Sequence, residues 1–461
     1  MEHIAQIEQQ IADWITMHMT IVILIGVGLV LTVVSRGVQL RLFPEMVRTV
    51  LGSRKGADGG ISSFQAFAIS LAARVGIGNV FGVAAALMFG GPGAIFWMWV
   101  VALVGMATAF FEATLAQIFK VKHSDGSFRG GPAYYIKRGM KNRVLANVFA
   151  VITVVTCGIV ITSVQSNAIA GTLTSAFGEA AKQPLPGAGG FSAAQLTVAG
   201  LIFVFSAMVI FGGIRTVARV TEWMAPIMAT IYVIMVAIVC LMSITQFGTV
   251  LGQIFTSAFS MDATVGGLGG GIIAAMINGT KRGLFSNEAG MGSTPHAHAM
   301  AHVKDPAIQG FVAMAGVFVD TILICSSTAF VIMLTGAYQG TDLKSVAITQ
   351  EAFNRAFGSG GVTFLAIALF FFAFTTIMGW YMFGEMNVRY LFGKYGILPF
   401  RLIVCGCIFC GCIFAADLVW ELADTFNGLM AIPNLIAIVC LAPQVRKMYT
   451  HFLQRRRSGE L

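Results

Sequence analysis

The sequence predicts an all-α polytopic membrane protein of about eleven transmembrane helices: one N-terminal helix, then a 5+5 inverted repeat with two broken helices. Three observations predict it. The 461 residues are 57% hydrophobic and only 11% charged, with a mean hydropathy of +0.82, a balance that excludes a soluble globular chain. The basic residues fall almost entirely between alternate apolar segments, as they do when one side of a membrane is favoured. Finally, two of the apolar segments are interrupted by glycines, polar residues and charges, and they occupy corresponding positions in two five-segment halves.

In chain order, apolar segments lie near 17–35, 61–90, 93–119, 143–177, 193–213, 221–245, 263–301, 307–336, 360–384, 397–416 and 424–445. Each is long enough for a hydrocarbon core of about 30 Å. The first reads as a retained helix and not as a cleavable signal peptide, because Glu2, Glu8 and Asp13 precede it and basic residues follow it. Eleven spans place the N-terminus outside and the C-terminus in the cytoplasm of a cell (cytoplasmic or inner) membrane. Of 29 Lys and Arg, 23 then lie in cytoplasmic segments, three (Lys182, Lys344, Arg355) in outer loops, and three (Arg74, Lys281, Arg282) at membrane depth. The net charge of +9 is thus spread over cytoplasmic helix ends, which makes the lipid bilayer the partner and gives no case for nucleic acid. The chain divides into an N-terminal helix and basic segment (1–60), a first five-helix repeat (61–245), a second (246–450) and a basic cytoplasmic tail (451–461).

The segment 61–90 carries Ala73-Arg74-Val75-Gly76-Ile77-Gly78-Asn79-Val80 at its centre. A freed backbone N–H or C=O is costly in hydrocarbon, so a mid-membrane break survives where the exposed backbone lines a cavity and binds something. Gly76 and Gly78 have no side chain to hold a ligand away from the main chain. The half-helix starting near Val80 directs its N–H groups and positive dipole end at an anionic group such as a carboxylate. The half ending near Val75 offers carbonyls to a cation. An intact helix with a Gly-x-Gly packing face is the plainer alternative, and Arg74 and Asn79 weigh against it.

The corresponding segment, 263–301, carries Asn278-Gly-Thr-Lys-Arg-Gly-Leu-Phe-Ser-Asn-Glu-Ala-Gly. Five spans per half insert the second half upside down, and paired interrupted helices then point to a midplane site. The expected second break lies around Asn278, Gly279 and Thr280. The Gly run 266–271 marks its outer start, and residues 345–357 read as a short amphipathic helix in an outer loop. The eight cysteines fall inside predicted spans, where they act as small hydrophobes. His296, His298 and His302 include an i, i+4 pair, but with no nearby Glu a solvated or capping role is expected over metal binding. A dinucleotide fingerprint at Gly76-x-Gly78 fails for want of a preceding strand and a following acid. An enzyme is not expected.

Gly90-Gly-Pro-Gly-Ala-Ile-Phe-Trp-Met-Trp-Val-Val-Ala-Leu-Val-Gly105 resembles the signature of the alanine/glycine:cation symporter family, the sodium:alanine symporters. So do Arg282-Gly-Leu-Phe-Ser-Asn-Glu-Ala-Gly-Met-Gly-Ser293 and Phe374-Thr-Thr-Ile-Met-Gly-Trp380 with Gly384-Glu385. The likeness runs from about residue 20 to 450. It implies the leucine-transporter-type fold and uptake of small neutral amino acids such as alanine and glycine, coupled to Na⁺ or, alternatively, H⁺. A channel or a non-transporting sensor is the rival class. The family commonly has Gly-Thr-Gly-Asn at the first break. Here Ile77 replaces the hydroxyl, leaving the backbone contacts of Gly76 and Gly78.

An amino acid needs donors for its carboxylate, acceptors for its ammonium and a pocket for its side chain. The expected substrate residues are Gly76, Ile77, Gly78 and Asn79 at the first break, Gly279 and Thr280 at the second, and Gln165, whose helix the resemblance places against the site. For Gln165 an ordinary interhelical hydrogen bond stands equal with this role. Phe285 and Trp380 are expected to wall the pocket. The resemblance also implies a Na⁺ site in which Thr375 and Thr376 complete an oxygen shell with the carbonyls of Ala72 and Val75; the alternative is that the hydroxyls bond their own helix. No organic cofactor is expected. Charges at membrane depth are candidate gates: Arg74, Lys281 and Arg282, with Glu112, Glu288 and Asp320 as possible partners.

Overall fold

The computed structural model describes residues 21–52, 61–123, 126–176, 183, 191–260, 271–339, 345–413 and 416–459. Those residues are overwhelmingly helical, and the sheet among them is a single hairpin pairing Val121–Lys122 with Phe128–Arg129. Seven helices among the described residues are long and apolar enough to cross a bilayer, and the pair Ser63–Arg74 and Ile77–Gly90, bent by 62°, acts as an eighth. The remaining expected segments correspond to Val22–Val34, to Ile272–Asn287 followed by Pro295–Met300, and to Ile397–Gly411. Residues 17–20 and the Gly run up to 270 lie outside the described residues. The helix Ser345–Phe357 occupies the expected outer-loop position, and Ala416–Arg457 carries the last span straight on into the basic C-terminal residues.

Local chemistry sets the ends. The first half-helix starts at a capping box: Ser62 Oγ accepts from the Gln65 N–H and Gln65 Oε1 accepts from the Ser62 N–H, both at 3.0 Å. Pro306–Val317 starts with Pro306 at its first turn behind Asp305, which accepts from the Ala307 N–H at 2.9 Å. Two helices are locally widened to π geometry, at Thr156–Val160 and at Phe318–Cys325, a form that recurs at functional sites.

The helices pack as two groups with the first broken helix between them. In one, Gly93–Ile118 is the centre, packed against Ile272–Asn287, Pro306–Val317 and Val22–Val34. Backbones approach closely there because small residues face each other: a Cβ on Gly279 would sit 2.2 Å from the Ala94 carbonyl oxygen, and one on Gly310 would strike Phe110 at 2.6 Å. In the other, Arg143–Val155 and Ile161–Ala176 pack against Ser359–Phe392 and Ile397–Gly411. Half-helix Ser63–Arg74 leans on Ser359–Phe392 and Ile214–Met242, while Phe81–Gly90 leans on Ile272–Asn287. The break between the halves therefore sits where the two groups meet.

The second break is displaced from its expected position. Helix Ile272–Asn287 runs unbroken through Asn278, Gly279 and Thr280, and the chain leaves it at Glu288, which is left-handed (φ 55°), followed by Gly290 (φ 91°) and Gly292 (φ 82°). Gly279 is there for close packing on Gly93–Ile118, as its distance to Ala94 shows, so the polar run 278–283 is a helix face and not a gap.

Candidate functional site

At the first break the helix stops at Val75, Ile77–Asn79 forms one 3₁₀ turn, and helix resumes at Phe81. The Gly76 N–H donates to Asn79 Oδ1 at 2.9 Å, and the Ile77 N–H donates to Gln165 Oε1 at 3.3 Å. Gly76 lies between two polar groups: a Cβ there would be 2.8 Å from Thr376 Oγ1 and 3.0 Å from Gln165 Oε1. A Cβ on Gly78 would be 2.9 Å from the Phe285 ring.

A narrow cavity opens beside this turn, lined by Ala73, Arg74, Gly78, Ile161, Gln165, Phe285, Glu288, Trp380 and Asn427. Gly78, Gln165, Phe285 and Trp380 are expected members. Gly76 and Ile77 stand behind the lining, with Ile77 presenting its amide to Gln165. Asn79 faces the other way. Its Nδ2 donates to Asp320 Oδ1 at 2.6 Å and lies 2.9 Å from Ser286 Oγ, fastening the turn to Ile272–Asn287 and to the π segment. Gly279 and Thr280 are outside the lining; Thr280 is fully buried and its hydroxyl has no hydrogen-bond partner among the described residues.

Sequence reasoning missed Ile161 and Asn427. Asn427 is 4% exposed and its Oδ1 has no hydrogen-bond partner among the described residues, which is costly for a buried acceptor. An Asn at membrane depth was the available signal. A second cavity, lined by Ile21, Lys281, Leu284, Phe285, Met291, Asp424, Asn427 and Gly428, adjoins the first. Phe285 and Asn427 belong to both walls, and Phe285 packs on Trp420 with ring centroids 5.3 Å apart.

Thr375 and Thr376 behave differently. Thr375 Oγ1 turns back to the Phe371 and Phe372 carbonyls of its own helix, at 2.9 and 3.0 Å. Thr376 Oγ1 has three carbonyl oxygens around it: Ala72 at 2.9 Å, Val75 at 3.1 Å and Phe372 at 2.9 Å. A hydroxyl has one proton to donate, so this group holds more acceptors than protons. Such a surplus of oxygens suits a hard cation.

The buried charges do not pair as expected. Arg74, 2% exposed, donates from Nε to the Asn287 carbonyl at 2.7 Å and from its terminal nitrogens to Thr294 Oγ1 at 3.0 Å and the Ala313 carbonyl at 3.3 Å. Glu112 accepts from the Gly290 and Gly292 N–H groups, each at 3.1 Å, and from Asn434 Nδ2 at 2.5 Å. Glu288 accepts from Ser293 Oγ at 2.5 Å and Trp380 Nε1 at 3.0 Å. Lys281 and Arg282 instead face Asp424, at 3.0 and 3.9 Å, a carboxylate not singled out in the sequence. Glu385 binds Arg389 at 2.6 Å and Arg401 at 3.2 Å.

His296 and His298 are buried, contrary to a solvated or capping role. His296 Nδ1 meets the Ser293 carbonyl and Nε2 meets Asn387, at 2.7 and 2.8 Å, and His298 Nδ1 meets Gln309 at 2.9 Å. Among the described residues, His, Cys, Asp and Glu form no cluster able to hold a metal ion.

The profile of the Sodium:alanine symporter family matches residues 1–461. The chain belongs to that family. Relatives of this symporter family include "Amino-acid carrier protein AlsT" of Bacillus subtilis, 43% identical with 95% of this chain and 90% of that protein covered. "Sodium/alanine symporter AgcS" of Methanococcus maripaludis is 37% identical over 92% of this chain and 91% of that protein. "Probable sodium/glutamine symporter GlnT" of Bacillus subtilis is 40% identical, covering 100% of this chain and 92% of that protein. Among solved structures, "Crystal structure of MhsT in complex with L-phenylalanine" superposes with a TM-score of 0.56 at 13% identity, covering 84% of this chain and 97% of that one; the likeness is one of fold. The protein is a multi-pass member of a cation-coupled amino-acid symporter family and not an enzyme.

Proposed function

We propose that this chain couples an inward Na⁺ gradient to uptake of a small neutral amino acid, alanine or glycine, by alternating access. The observation that carries it is the oxygen cluster of Ala72, Val75, Phe372 and Thr376, separated by one residue, Gly76, from a cavity walled by Gly78, Gln165, Phe285 and Trp380. The cation sits among those oxygens. The substrate carboxylate lies against the turn at Gly78 and the N-terminal end of Phe81–Gly90. The orphaned Oδ1 of Asn427 and the carboxylate of Glu288 receive the ammonium. Phe285 and Trp380 limit the side chain to a methyl group or hydrogen.

The cavity beside Gly78 is too narrow for an amino acid until Phe285 swings off Trp420, which joins it to the second cavity and to the Lys281–Asp424 pair. That pair and Arg282 are the gate on this path. Residues 61–245 and 246–450 serve as the two inverted five-helix repeats, in a cytoplasmic membrane with the N-terminus outside and the C-terminus inside. The names of AgcS and GlnT both favour Na⁺, and that of AgcS favours alanine.

Purified protein in liposomes tests the reading. Labelled alanine should accumulate above equilibrium when an inward Na⁺ gradient is imposed, and collapse of that gradient should release it. Accumulation that ignores Na⁺ and follows an imposed pH gradient would replace Na⁺ by H⁺. Purely downhill flux that follows neither ion gradient and does not saturate with alanine would replace symport by a channel.

A further inference from the structure

A groove that shares no lining residue with the Gly78 cavity lies between Val22–Val34 and the last helix, Ala416–Arg457. It measures about 690 Å³ and is lined by two kinds of residue. Val30, Leu31, Val34, Val439, Ala442 and Pro443 make an apolar trough; Arg446, Lys447, Thr450, His451 and Gln454 continue it as a basic and polar one.

The two helices run side by side in the same direction. Ile21 stands near Asp424 and Gly428 at one end, while Leu31 and Val34 stand near Val439 and Ala442 further along. The apolar and basic parts are therefore stacked along the helices, and the switch comes where Val22–Val34 ends. From Val439 to Gln454 the helix rises about 22 Å, at about 1.5 Å per residue. Beyond Val34 the chain adds exposed Arg36 and Arg41.

Among the described residues, this basic end lacks its own counter-charge. The groove lining contains no carboxylate. Two nearby carboxylates are held by other arginines, Glu45 by Arg456 at 2.6 Å and Asp305 by Arg455 at 3.6 Å. Arg446 and Lys447 are exposed and have no acidic partner within ion-pair distance among the described residues. A slot with an apolar part and, among the described residues, a cationic part without a carboxylate partner fits a phospholipid of net negative charge, its acyl chain in the trough and its phosphate at the basic rim. A second copy of this chain would have to bring carboxylates to the rim and an apolar ridge to the trough; a neutral phospholipid would leave the excess positive charge unbalanced.

We propose that the groove between Val22–Val34 and Ala416–Arg457 is a binding site for one anionic phospholipid, its acyl chain against Val30, Val34, Val439 and Ala442 and its phosphate held by Arg446 and Lys447. This site stands independently of the substrate and the coupling ion.

Native mass spectrometry of the detergent-purified full chain, titrated with phosphatidylglycerol or phosphatidylcholine of matched acyl chains, tests it. The parent should retain one phosphatidylglycerol in preference to phosphatidylcholine. The double variant R446Q/K447Q should weaken that lipid about 30-fold, the scale set by two basic groups at a membrane surface. Ala442→Phe fills the trough with both charges in place and should also lose the lipid. The pair Arg215→Gln and Arg219→Gln, away from the groove, should leave it unchanged. Equal retention of the two lipids by the parent overturns the proposal, as does unaltered retention by R446Q/K447Q. Full retention by Ala442→Phe would mean attraction to surface charge without a seat. A dimer whose formation the same substitutions abolish would make the occupant a second copy. Each variant is first shown to elute as the parent does in size-exclusion chromatography.

Discussion

The two breaks in this membrane protein use the same backbone opportunity in opposite ways. At the first, neutral side chains attend the exposed amides: Asn79 Oδ1 on Gly76 and Gln165 Oε1 on Ile77, the latter at a loose 3.3 Å. At the second, the protein's own carboxylate closes the loop, with Glu112 accepting from Gly290 and Gly292 while Arg74 takes the terminal carbonyl of Asn287. Glu112 thus does for the second break what a ligand carboxylate would do for the first. Hydrogen bonds to charged groups are roughly twice as strong as neutral ones, so the second loop is held more firmly, whereas the neutral contacts of the first are the ones that the proposed substrate would replace. One break is a strut and the other, under the proposed function, a site.

The largest expected effect is at the strut. Glu112→Ala leaves the Gly290 and Gly292 amides and Asn434 without their acceptor, and should cost about 3–5 kcal/mol of stability. Thermal unfolding in detergent measures it, and Glu112→Gln, which keeps one acceptor, should fall between variant and parent. A melting temperature unchanged in Glu112→Ala would erase the distinction between the breaks.

The same substitution made at both breaks sharpens the contrast. Gly290→Ala puts a side chain on a left-handed residue (φ 91°) with its Cβ 2.2 Å from Leu24, and should lower stability by about 1–3 kcal/mol. Gly78→Ala meets the edge of the Phe285 ring at 2.9 Å and the Ser286 backbone at an ordinary 3.8 Å. It should keep the melting temperature while weakening alanine binding about tenfold or more, since an added methyl in a packed site costs about 1–3 kcal/mol. Alanine binding at parental affinity by folded Gly78→Ala would take the site away from this break.

Next in size is the pair of adjacent threonines. Thr376→Ala should raise the Na⁺ concentration for half-maximal uptake about tenfold, the scale of one lost bond to a charged group, with little change in alanine affinity at saturating Na⁺. Thr375→Ala, which loses only bonds within its own helix, should leave the Na⁺ dependence near the parent's. Equal responses would mean that neither hydroxyl meets the ion.

The smallest effect belongs to the outermost contact. Asp424→Asn removes the carboxylate that Lys281 and Arg282 face, a link that is partly exposed, and should change stability by about 1 kcal/mol or less. The corresponding change in transport rate is about fivefold at most, read from initial uptake. A complete loss of uptake would give Asp424 a part in binding.

Much of this architecture was legible because hydrocarbon imposes so few solutions. Apolar runs near 20 residues announced the spans, and Arg74, Gly76, Gly78 and Asn79 could not share one ordinary helix. The second break misled because Asn278 to Arg282 is just as polar; Lys281 and Arg282 reach outside their own helix to Asp424, Asn278 bonds back to the Ala274 carbonyl, and Gly279 serves packing on Ala94. Left-handed Glu288 and the two glycines behind it were the truer signal. Partners far apart in sequence stayed hidden. Glu112 reaches Gly290 across 178 residues and Asn434 across 322, and nothing in the local pattern of Gly93–Ile118 announces either. Asn427 was readable as a polar residue at depth, but its membership of two cavity walls belongs to three-dimensional packing.

Arg74 has a mechanical consequence. It is rooted in Ser63–Arg74, yet it grips Asn287, Thr294 and Ala313, and a Cβ on Gly316 would intrude on its guanidinium at 2.2 Å. The guanidinium works as a rivet through three pieces of chain, so the lever arms on either side of it turn as one piece. Under the proposed alternating access, rocking would slip along the faces where that piece touches Ile214–Met242 and Ser359–Phe392. Thr376 lies on the second of those faces and Gln165 meets the turn at Ile77, so a cation or an amino acid bound there as proposed would act as a pin across the sliding joint.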